Sequence, residues 1–288
     1  MSKQFGSTIA LDHLDLAVPT GSVFGFLGPN GAGKTTTIRM LMGLARPSTG
    51  YATVLGLDAT RDRDEVHRRV GYLPGDFTAY ADLTGGEYLD YLGRLRADAD
   101  PRRREELVDR LELDVSRTIR TLSRGNRQKV GLVQAFMHNP DLLVLDEPTS
   151  GLDPLMQRQF REIASAARAA GSTVFLSSHV LGEVEEIADT VAIVKEGRLV
   201  VVDALEHLKE RARRHIELTF RDPPPASTFD SIPGVRDVTV LDHTIRLVIE
   251  GSMEAVFRAA APLGVENVVA DHAPLDEILI GYYESDSS

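Results

Sequence analysis

Residues 28–36 of this chain are Gly28-Pro29-Asn30-Gly31-Ala32-Gly33-Lys34-Thr35-Thr36, which fit the pattern G-x-x-x-x-G-K-[S/T]. An apolar run of strand length, VFGFL, precedes them at residues 23–27, and residues 36–44 have apolar side chains at helical spacing. Strand, glycine-rich loop and helix in this order are the context in which the pattern forms a phosphate site. The glycines let backbone N–H groups converge on phosphate oxygens at the positive end of a helix. We therefore predict a nucleotide site, with Lys34 on the β- and γ-phosphates and the Thr35 hydroxyl on Mg2+.

A second apolar run, LLVL at residues 142–145, ends in the acid pair Asp146 and Glu147. A continuous apolar run indicates a buried strand of a parallel sheet. Ligands bind at the carboxyl ends of such strands in open α/β sheets. Asp146 is therefore predicted to hold Mg2+, directly or through water. Glu147, one peptide further on, is predicted to polarise a water molecule against the γ-phosphate.

Composition limits the classes of function. The chain has 288 residues, of which 42% are hydrophobic, which suits one large domain or a large and a small one. It contains no cysteine, which excludes disulfides and thiolate metal sites. Its net charge of −11 argues against a nucleic-acid partner, because phosphate binding usually needs a basic surface. No apolar run is long enough to span a membrane and no signal-peptide pattern is present, so a cytoplasmic location is expected.

Strand and helix patterns alternate up to about residue 202, which indicates the α/β class. Residues 8–18 alternate apolar and polar side chains and are expected to form strands around a turn. Thr84 and Glu87 form a capping-box pattern, which predicts a helix that begins there.

A change of composition predicts a domain boundary after residue 214. Residues 1–214 are expected to form the nucleotide-binding domain and residues 215–288 a small accessory α+β domain. The last helix of the chain is expected at about 274–283, followed by a disordered tail.

Three residues or pairs carry weaker signals when each is taken alone. Phe5 could stack on a purine ring, or it could simply cover an exposed sheet edge. Ser123 and Gly125 at a helix N-terminus make an anion site in principle, although serine is also a common N-cap. His179 could hydrogen-bond a phosphate or the attacking water, although a histidine after a strand is more often structural.

The motifs gain specificity from their order. The phosphate loop is followed by LSRGN at residues 122–126, by LLVLDEPTSGLD at 142–153 and by SSH at 177–179. This series resembles the ATP-binding subunit of an ABC transporter over residues 5–202. The segment that begins with LSRGN, together with the C-terminal unit, resembles exporters of drugs, antibiotics or lipids. The resemblance implies a P-loop NTPase core of ABC ATPase type with an antiparallel β subdomain and a helical subdomain at about 75–140.

The resemblance also implies roles for individual residues. Phe5 matches the aromatic residue that stacks on adenine, His179 matches the switch histidine, and Asp153 matches the loop that couples two sites across a dimer. The signature segment, which faces the ATP of the opposite subunit in this family, comprises Ser123, Arg124, Gly125 and Asn126. Within it, Ser123 and Gly125 match the positions that cap the γ-phosphate.

Partners follow from the same resemblance. Two copies of the chain are expected to sandwich two ATP molecules head to tail. ATP binding would draw the copies together and move a separate integral membrane permease, and hydrolysis assisted by Glu147 would reopen the dimer. The chain would then lie on the inner face of the cell membrane. Its helices between about 84 and 120 are expected to grip the permease.

Two positions depart from the family pattern. The signature usually reads LSGGQ, whereas Arg124 and Asn126 stand here in place of a glycine and the glutamine. After the run at residues 70–73 the family usually places a glutamine that touches Mg2+ and senses the permease, but this chain has Gly75. Asp76 or a water molecule could take over the contact with Mg2+. An altered coupling between the metal site and the permease is expected.

The sequence also bears on other functions. A soluble ABC-type ATPase that acts on DNA or on the ribosome is the alternative. It is disfavoured because residues 45–121 contain no coiled-coil heptads, because the chain has one cassette, and because it is acidic. A small-molecule kinase explains neither LSRGN nor the SSH histidine. For residues 215–288, a packing or dimer-stabilising role and a ligand-sensing role both stay open.

Overall fold

We describe a computed structural model of the chain for residues 1–96, 100–211, 214–250 and 252–272. The final helix and the tail expected after residue 273 lie outside these residues. The chain divides into two compact units, Met1–Asp203 and Ala204–Ser288. The segment 204–214, which the sequence analysis placed in the first domain, thus groups with the second unit.

The first half of the first unit contains six strands and two helices. They are β1 (Lys3–Phe5), β2 (Thr8–Leu11), β3 (Val23–Leu27), α1 (Lys34–Leu41), β4 (Thr53–Val54), β5 (Leu57–Asp58), α2 (Arg63–Arg69) and β6 (Val70–Leu73). The second half adds α3 (Gly85–Leu95), α4 (Pro101–Arg110), a 3-10 helix (Ile119–Thr121), α5 (Arg124–Phe136), β7 (Leu142–Asp146), α6 (Pro154–Ala169), β8 (Thr173–Ser178), α7 (Leu181–Glu185), β9 (Thr190–Lys195) and β10 (Arg198–Ala204). The elements are mixed α/β, as the sequence predicts.

A six-stranded sheet with the order β10-β9-β3-β8-β7-β6 forms the centre of this unit. The neighbouring pairs from β9 to β6 are parallel. Every residue of β3 and β8 is buried, because helices cover both faces of a parallel sheet. Phe175 stacks on Phe24 with ring centroids 5.9 Å apart and packs against Phe26 at 5.5 Å. This register brings the carboxyl ends of β3, β7 and β8 to one edge.

The antiparallel part is smaller than the alternating pattern suggests. β1 pairs with β2, and β4 pairs with β5, each as a two-stranded sheet. The expectation of strands through residue 18 is wrong beyond Leu11, since no strand forms between β2 and β3. Leu14 is buried, and Leu16 and Val18 pack against the same core. The alternation therefore reports burial of one side of the segment, without a partner strand for its backbone.

Helix boundaries follow the predicted caps. The Thr84 hydroxyl accepts from the backbone N–H of Glu87, and the Glu87 carboxylate accepts from the backbone N–H of Thr84, so the capping box is confirmed. The Glu87 carboxylate accepts from the backbone N–H and also from the hydroxyl of Thr84, and these two hydrogen bonds lower the pKa of Glu87. Asp153 caps α6 by accepting from the backbone N–H of Met156 at 3.0 Å. Pro154 follows it at the first helical position, where the missing N–H costs nothing.

The second unit is a four-stranded antiparallel sheet with helices. Its elements are α8 (Leu205–Arg211), β11 (Arg214–Phe220), α9 (Ser227–Asp230), β12 (Val235–Leu241), β13 (Thr244–Ile249), α10 (Glu254–Ala260), a 3-10 helix (Ala261–Leu263) and β14 (Val265–His272). The strand order is β12-β13-β11-β14. Phe220, Phe229 and Val256 belong to its separate hydrophobic core.

Among the described residues, no helix combines the length and the apolar character that crossing a membrane requires.

Candidate functional site

The phosphate loop connects β3 to α1. Gly31 and Gly33 have φ angles of 83° and 105°, which L side chains rarely adopt. A Cβ on Gly33 would also lie 2.6 Å from Leu11 Cδ2, so the loop needs glycine there for space as well. The backbone N–H of Gly28 is directed to the Ser178 carbonyl oxygen at 3.4 Å. The loop is thereby held against the end of β8.

Lys34, the first residue of α1, lies inside the loop with only 6% of its surface exposed. Its ammonium donates to the carbonyl oxygen of Gly28 at 2.6 Å and to that of Pro29 at 3.3 Å. It also lies 3.4 Å from Glu147 Oε1. A buried cation that belongs to a glycine-rich loop at a helix N-terminus is suited to phosphate oxygens.

Asp146 ends β7 and is 1% exposed. The Thr35 hydroxyl donates to its Oδ2 at 2.8 Å, and the Ser177 hydroxyl donates to its Oδ1 at 2.5 Å. Parallel pairing of β7 with β8 sets Ser177 beside it. Burial raises the pKa of Tyr72 to about 12, and the Asp146 carboxylate adds to this effect. Oxygen donors from Thr35 and Asp146 are the kind that Mg2+ prefers, so the residues present fit this ion.

Glu147 follows Asp146 with a φ of 50°, which is left-handed for a residue that is not glycine. This conformation costs about 1–2 kcal/mol, which the surroundings must offset. Its backbone N–H is directed to the Ser177 carbonyl oxygen at 3.2 Å. Its carboxylate lies between the Lys34 ammonium at 3.4 Å and the His179 Nδ1 at 2.7 Å. A carboxylate held in this way beside a phosphate loop can accept a proton from a water molecule.

These residues line one cleft of about 420 Å³. It is lined by Ala10, Pro29, Asn30, Gly31, Gly33, Lys34, Thr35, Thr36, Gly75, Asp76, Arg124, Asp146, Glu147, Ser150 and His179. Of the residues that the sequence analysis selected, the lining lacks Phe5, Gly28, Ala32, Ser123, Gly125, Asn126 and Asp153. Phe5, at the end of β1, is 53% exposed, and the Lys3 ammonium lies 4.7 Å from the centre of its ring.

Gly75 and Asp76 lie where β6 leads into the cleft. A Cβ on Gly75 would be 3.1 Å from Asp146 Oδ2, so any side chain at this position would press on the Asp146 carboxylate. Asp76 is exposed and contributes to the cleft lining. Asp76 thus adds a carboxylate to the lining of the cleft that also contains Thr35 and Asp146.

The signature segment begins α5. Ser123 is the exposed N-cap, and its hydroxyl accepts from the backbone N–H of Asn126 at 3.2 Å. Arg124 makes a contact within its own chain: its guanidinium donates to the Ser150 hydroxyl at 2.8 Å. A Cβ on Gly125 would lie 2.6 Å from the Gly151 carbonyl oxygen, so this close approach requires glycine. The segment therefore packs on the loop between β7 and α6.

Three polar residues near the site were not selected from the sequence. Ser177 follows the apolar residues of β8, and a polar residue in a buried strand was the signal that could have identified it. Gln128 donates from α5 to the carbonyl oxygens of Glu147 and Pro148. Glu183 Oε2 accepts from the Ser178 hydroxyl at 3.2 Å and from the hydroxyl of the buried Thr149. The contacts of Gln128 with Glu147 and Pro148, and of Glu183 with Thr149, join residues that are distant in sequence, so no local pattern predicts them.

The fold and the cleft define a nucleotide-binding ATPase with a phosphate loop and an acid pair at the end of a parallel strand. A family model described as ABC transporter matches residues 11–150. The bacitracin transport ATP-binding protein BcrA of Bacillus licheniformis is 37% identical over 225 residues, which cover 77% of this chain and 74% of that protein. The daunorubicin resistance ATP-binding protein DrrA3 of Streptomyces coeruleorubidus is 35% identical over 292 residues, covering 96% of this chain and 92% of that protein.

A solved structure agrees with these matches. The ATP-binding subunit of an ABC transporter superposes with a TM-score of 0.67 at 28% identity, covering 72% of this chain and 89% of that one. The chain belongs to the ATP-binding proteins of the ABC transporter family. It is an ATPase, and the resemblance stated from its motifs is confirmed.

Proposed function

We propose that this chain powers export of antibiotic or drug-like molecules through a separate membrane permease, on the inner face of the cell membrane. The cargo class is supported by two relatives, one named for bacitracin transport and the other for daunorubicin resistance. The motor role is supported by one arrangement above all. Glu147 lies between Lys34 and His179 within the cleft that the phosphate loop lines.

In the proposed reaction, Lys34 exchanges its loop carbonyls and Glu147 for the β- and γ-phosphate oxygens of ATP. The loop from Asn30 to Thr36 donates backbone N–H groups to the same phosphates. Thr35 and Asp146 would hold Mg2+, which supplies charge neutralisation on the phosphates. Glu147 accepts a proton from the attacking water, and His179 orients the Glu147 carboxylate through the bond to Nδ1.

The site is proposed to be completed by a second copy of the chain. The signature residues Ser123, Gly125 and Asn126 do not line the cleft of their own chain, and Ser123 is exposed. We assign them to the ATP of the partner copy in a head-to-tail dimer, with Asp153 in the loop between the two sites. Phe5 is assigned to adenine stacking, for which Lys3 would have to leave the ring face that it covers.

The permease is proposed to dock on the helical subdomain, where exposed aromatic residues cluster. Tyr80 and Tyr91 are 59% and 44% exposed, and their ring centroids lie 5.8 Å apart. Leu95, one turn beyond Tyr91 on α3, is 65% exposed. Contiguous exposed apolar surface of this kind is typical of protein–protein contacts.

We expect Tyr91→Asp to abolish co-purification of the permease, because a charge would be desolvated in the contact. The measurement is affinity purification of the tagged chain from detergent-solubilised membranes, followed by mass spectrometry. Tyr51→Asp is the matched control, since Tyr51 is a tyrosine with 76% exposure elsewhere on the unit.

The export proposal itself is tested on the captured complex. Bacitracin or daunorubicin should raise its ATPase rate, because transported molecules accelerate the cycle that moves them. Failure to capture any membrane protein would contradict the permease, and a captured complex insensitive to both compounds would contradict this cargo class.

Asp76 is proposed to take part in holding Mg2+ in place of the usual glutamine. We expect Asp76→Ala to lower the ATPase rate of the assembled transporter by about 10-fold and to raise the Mg2+ concentration needed for half-maximal rate. Asp64→Ala is the control, since Asp64 is an exposed aspartate on α2 beside Arg63, outside the cleft and the proposed docking surface. An unchanged rate and Mg2+ dependence would remove Asp76 from the mechanism.

For the C-terminal unit we favour a packing or dimer-stabilising role. It has its own hydrophobic core and a four-stranded sheet. Deletion of the unit should weaken the ATP-dependent dimer. Transport that becomes independent of a ligand after the deletion would instead indicate a sensor.

A further inference from the structure

Helix α5 contacts the segment after the acid pair within the same chain. Gln128 Nε2 donates to the carbonyl oxygen of Glu147 at 3.1 Å and to that of Pro148 at 3.0 Å. One turn earlier, Arg124 donates to the Ser150 hydroxyl at 2.8 Å. Side chains of α5 thus hydrogen-bond to both the backbone and a side chain of this segment.

Gln128 is a buried residue, with 6% of its surface exposed. A buried amide is costly unless it is hydrogen-bonded, so a glutamine on the inner face of a helix needs a reason to be there. Here its NH2 group serves two consecutive carbonyl oxygens. The pair of bonds fixes the orientation of two successive peptide groups, the first of which belongs to Glu147.

Glu147 has a particular need for this support. Its φ of 50° is left-handed, and such backbone persists only where the surroundings hold it. The Ser177 carbonyl accepts from the Glu147 N–H at 3.2 Å on the amino side. Gln128 holds the carbonyl on the other side. The backbone of Glu147 is therefore fixed from both ends, by a strand and by α5.

We propose that Gln128 is a positioning residue for Glu147: its amide holds the Glu147 peptide so that the carboxylate stays aimed at the attacking water. This inference rests on the proposed role of Glu147 as the base. It also makes α5 a link between two sites. Ser123 lies about 7.5 Å from Gln128 along the helix axis. A shift of Ser123 on contact with the partner's nucleotide would therefore be transmitted to Glu147 of its own chain through about one and a half turns of helix.

The test is single-turnover hydrolysis of radiolabelled ATP by the full-length chain in excess over ATP. In Gln128→Met the side chain keeps its length but donates no hydrogen bond, and in Gln128→Glu an acceptor faces the two carbonyls. Both variants should lower the hydrolysis rate about 10- to 100-fold, as a displacement of about 1 Å would. Their affinity for ATP should stay within about 2-fold of wild type, because Lys34 and the loop are unchanged.

A double-mutant cycle separates positioning from a general structural effect. In a Glu147→Gln background, Gln128→Met should change the residual rate by less than about 2-fold, because the group that it positions is already gone. Gln134→Met is the matched control. It is the same change on the same helix, where the Gln134 amide oxygen accepts from Tyr88 instead. This control should hydrolyse ATP at the wild-type rate.

The outcomes distinguish this inference from the proposed function. Absence of hydrolysis in wild type and in Gln134→Met would overturn both. If wild type and Gln134→Met hydrolyse ATP and both Gln128 variants do so at the same rate, the positioning role alone is overturned. An equal loss in the wild-type and Glu147→Gln backgrounds would also overturn it, since Gln128 would then act other than through Glu147. Thermal unfolding of each variant identifies any that do not fold, and the other substitution then decides.

Discussion

Lys34→Ala should weaken ATP binding about 100-fold, close to 3 kcal/mol. The Lys34 ammonium is buried in the loop, where it donates to Gly28 and Pro29 carbonyls and faces Glu147. Truncation to alanine removes this ammonium, which would otherwise exchange the two carbonyls and Glu147 for phosphate oxygens of ATP. It also leaves the Glu147 carboxylate without its cationic neighbour Lys34, so that a negative charge faces the incoming phosphates.

Equilibrium ATP titration, by calorimetry or with a fluorescent nucleotide, measures this loss. Lys129→Ala is the control, because Lys129 lies on α5 outside the lining of the cleft. Circular dichroism of both variants verifies that they are folded. An affinity for Lys34→Ala within about 3-fold of wild type would show that the phosphates bind elsewhere.

Glu147→Gln should lower the rate of ATP hydrolysis at least about 100-fold while ATP still binds. The amide has nearly the shape of the carboxylate and can keep a hydrogen bond to His179, but it does not accept a proton from water. It also no longer attracts Lys34, which lies 3.4 Å away, so that Lys34 is more available to phosphate and ATP affinity should rise.

The measurement pairs single-turnover hydrolysis with ATP titration. Glu186→Gln is the matched control, because it removes the same charge from a surface carboxylate whose partner is Arg161 at 2.8 Å. Hydrolysis by Glu147→Gln at the wild-type rate would assign the base to another residue. A loss of rate that is explained entirely by lost ATP binding would give Glu147 a role in binding alone.

The sequence locates the phosphate loop and the acid pair because each is a local pattern. The glycine spacing around Lys34 and the apolar run before Asp146 are sufficient to position both at strand ends. The parallel register then sets Asp146 beside Ser177, which brings together residues that are 31 positions apart. Asp146 and Ser177 are adjacent because β7 and β8 pair in parallel, and strands that are apolar on both faces are typical of such a parallel sheet.

Two features lay outside the reach of local patterns. Alternation at residues 12–18 reports which side chains are buried, and it does not tell whether a neighbouring strand exists for the backbone. Gln128 is the reverse case. Its polarity suggests a solvent-facing position on α5. Its partners, the carbonyls of Glu147 and Pro148, become neighbours only after α5 packs against β6, the strand that pairs with β7. A contact of this kind depends on tertiary packing, which no single segment encodes.

The central claim is that two copies of this chain close around ATP, and it is tested most directly by the size of Glu147→Gln in solution. Sedimentation or light scattering with and without ATP and Mg2+ gives the measurement. We predict a shift from monomer to dimer that requires ATP and disappears on adding Ser123→Arg, which blocks the signature of each copy. Tight ATP binding without any dimer, both for the chain alone and in the presence of its captured permease, would contradict it.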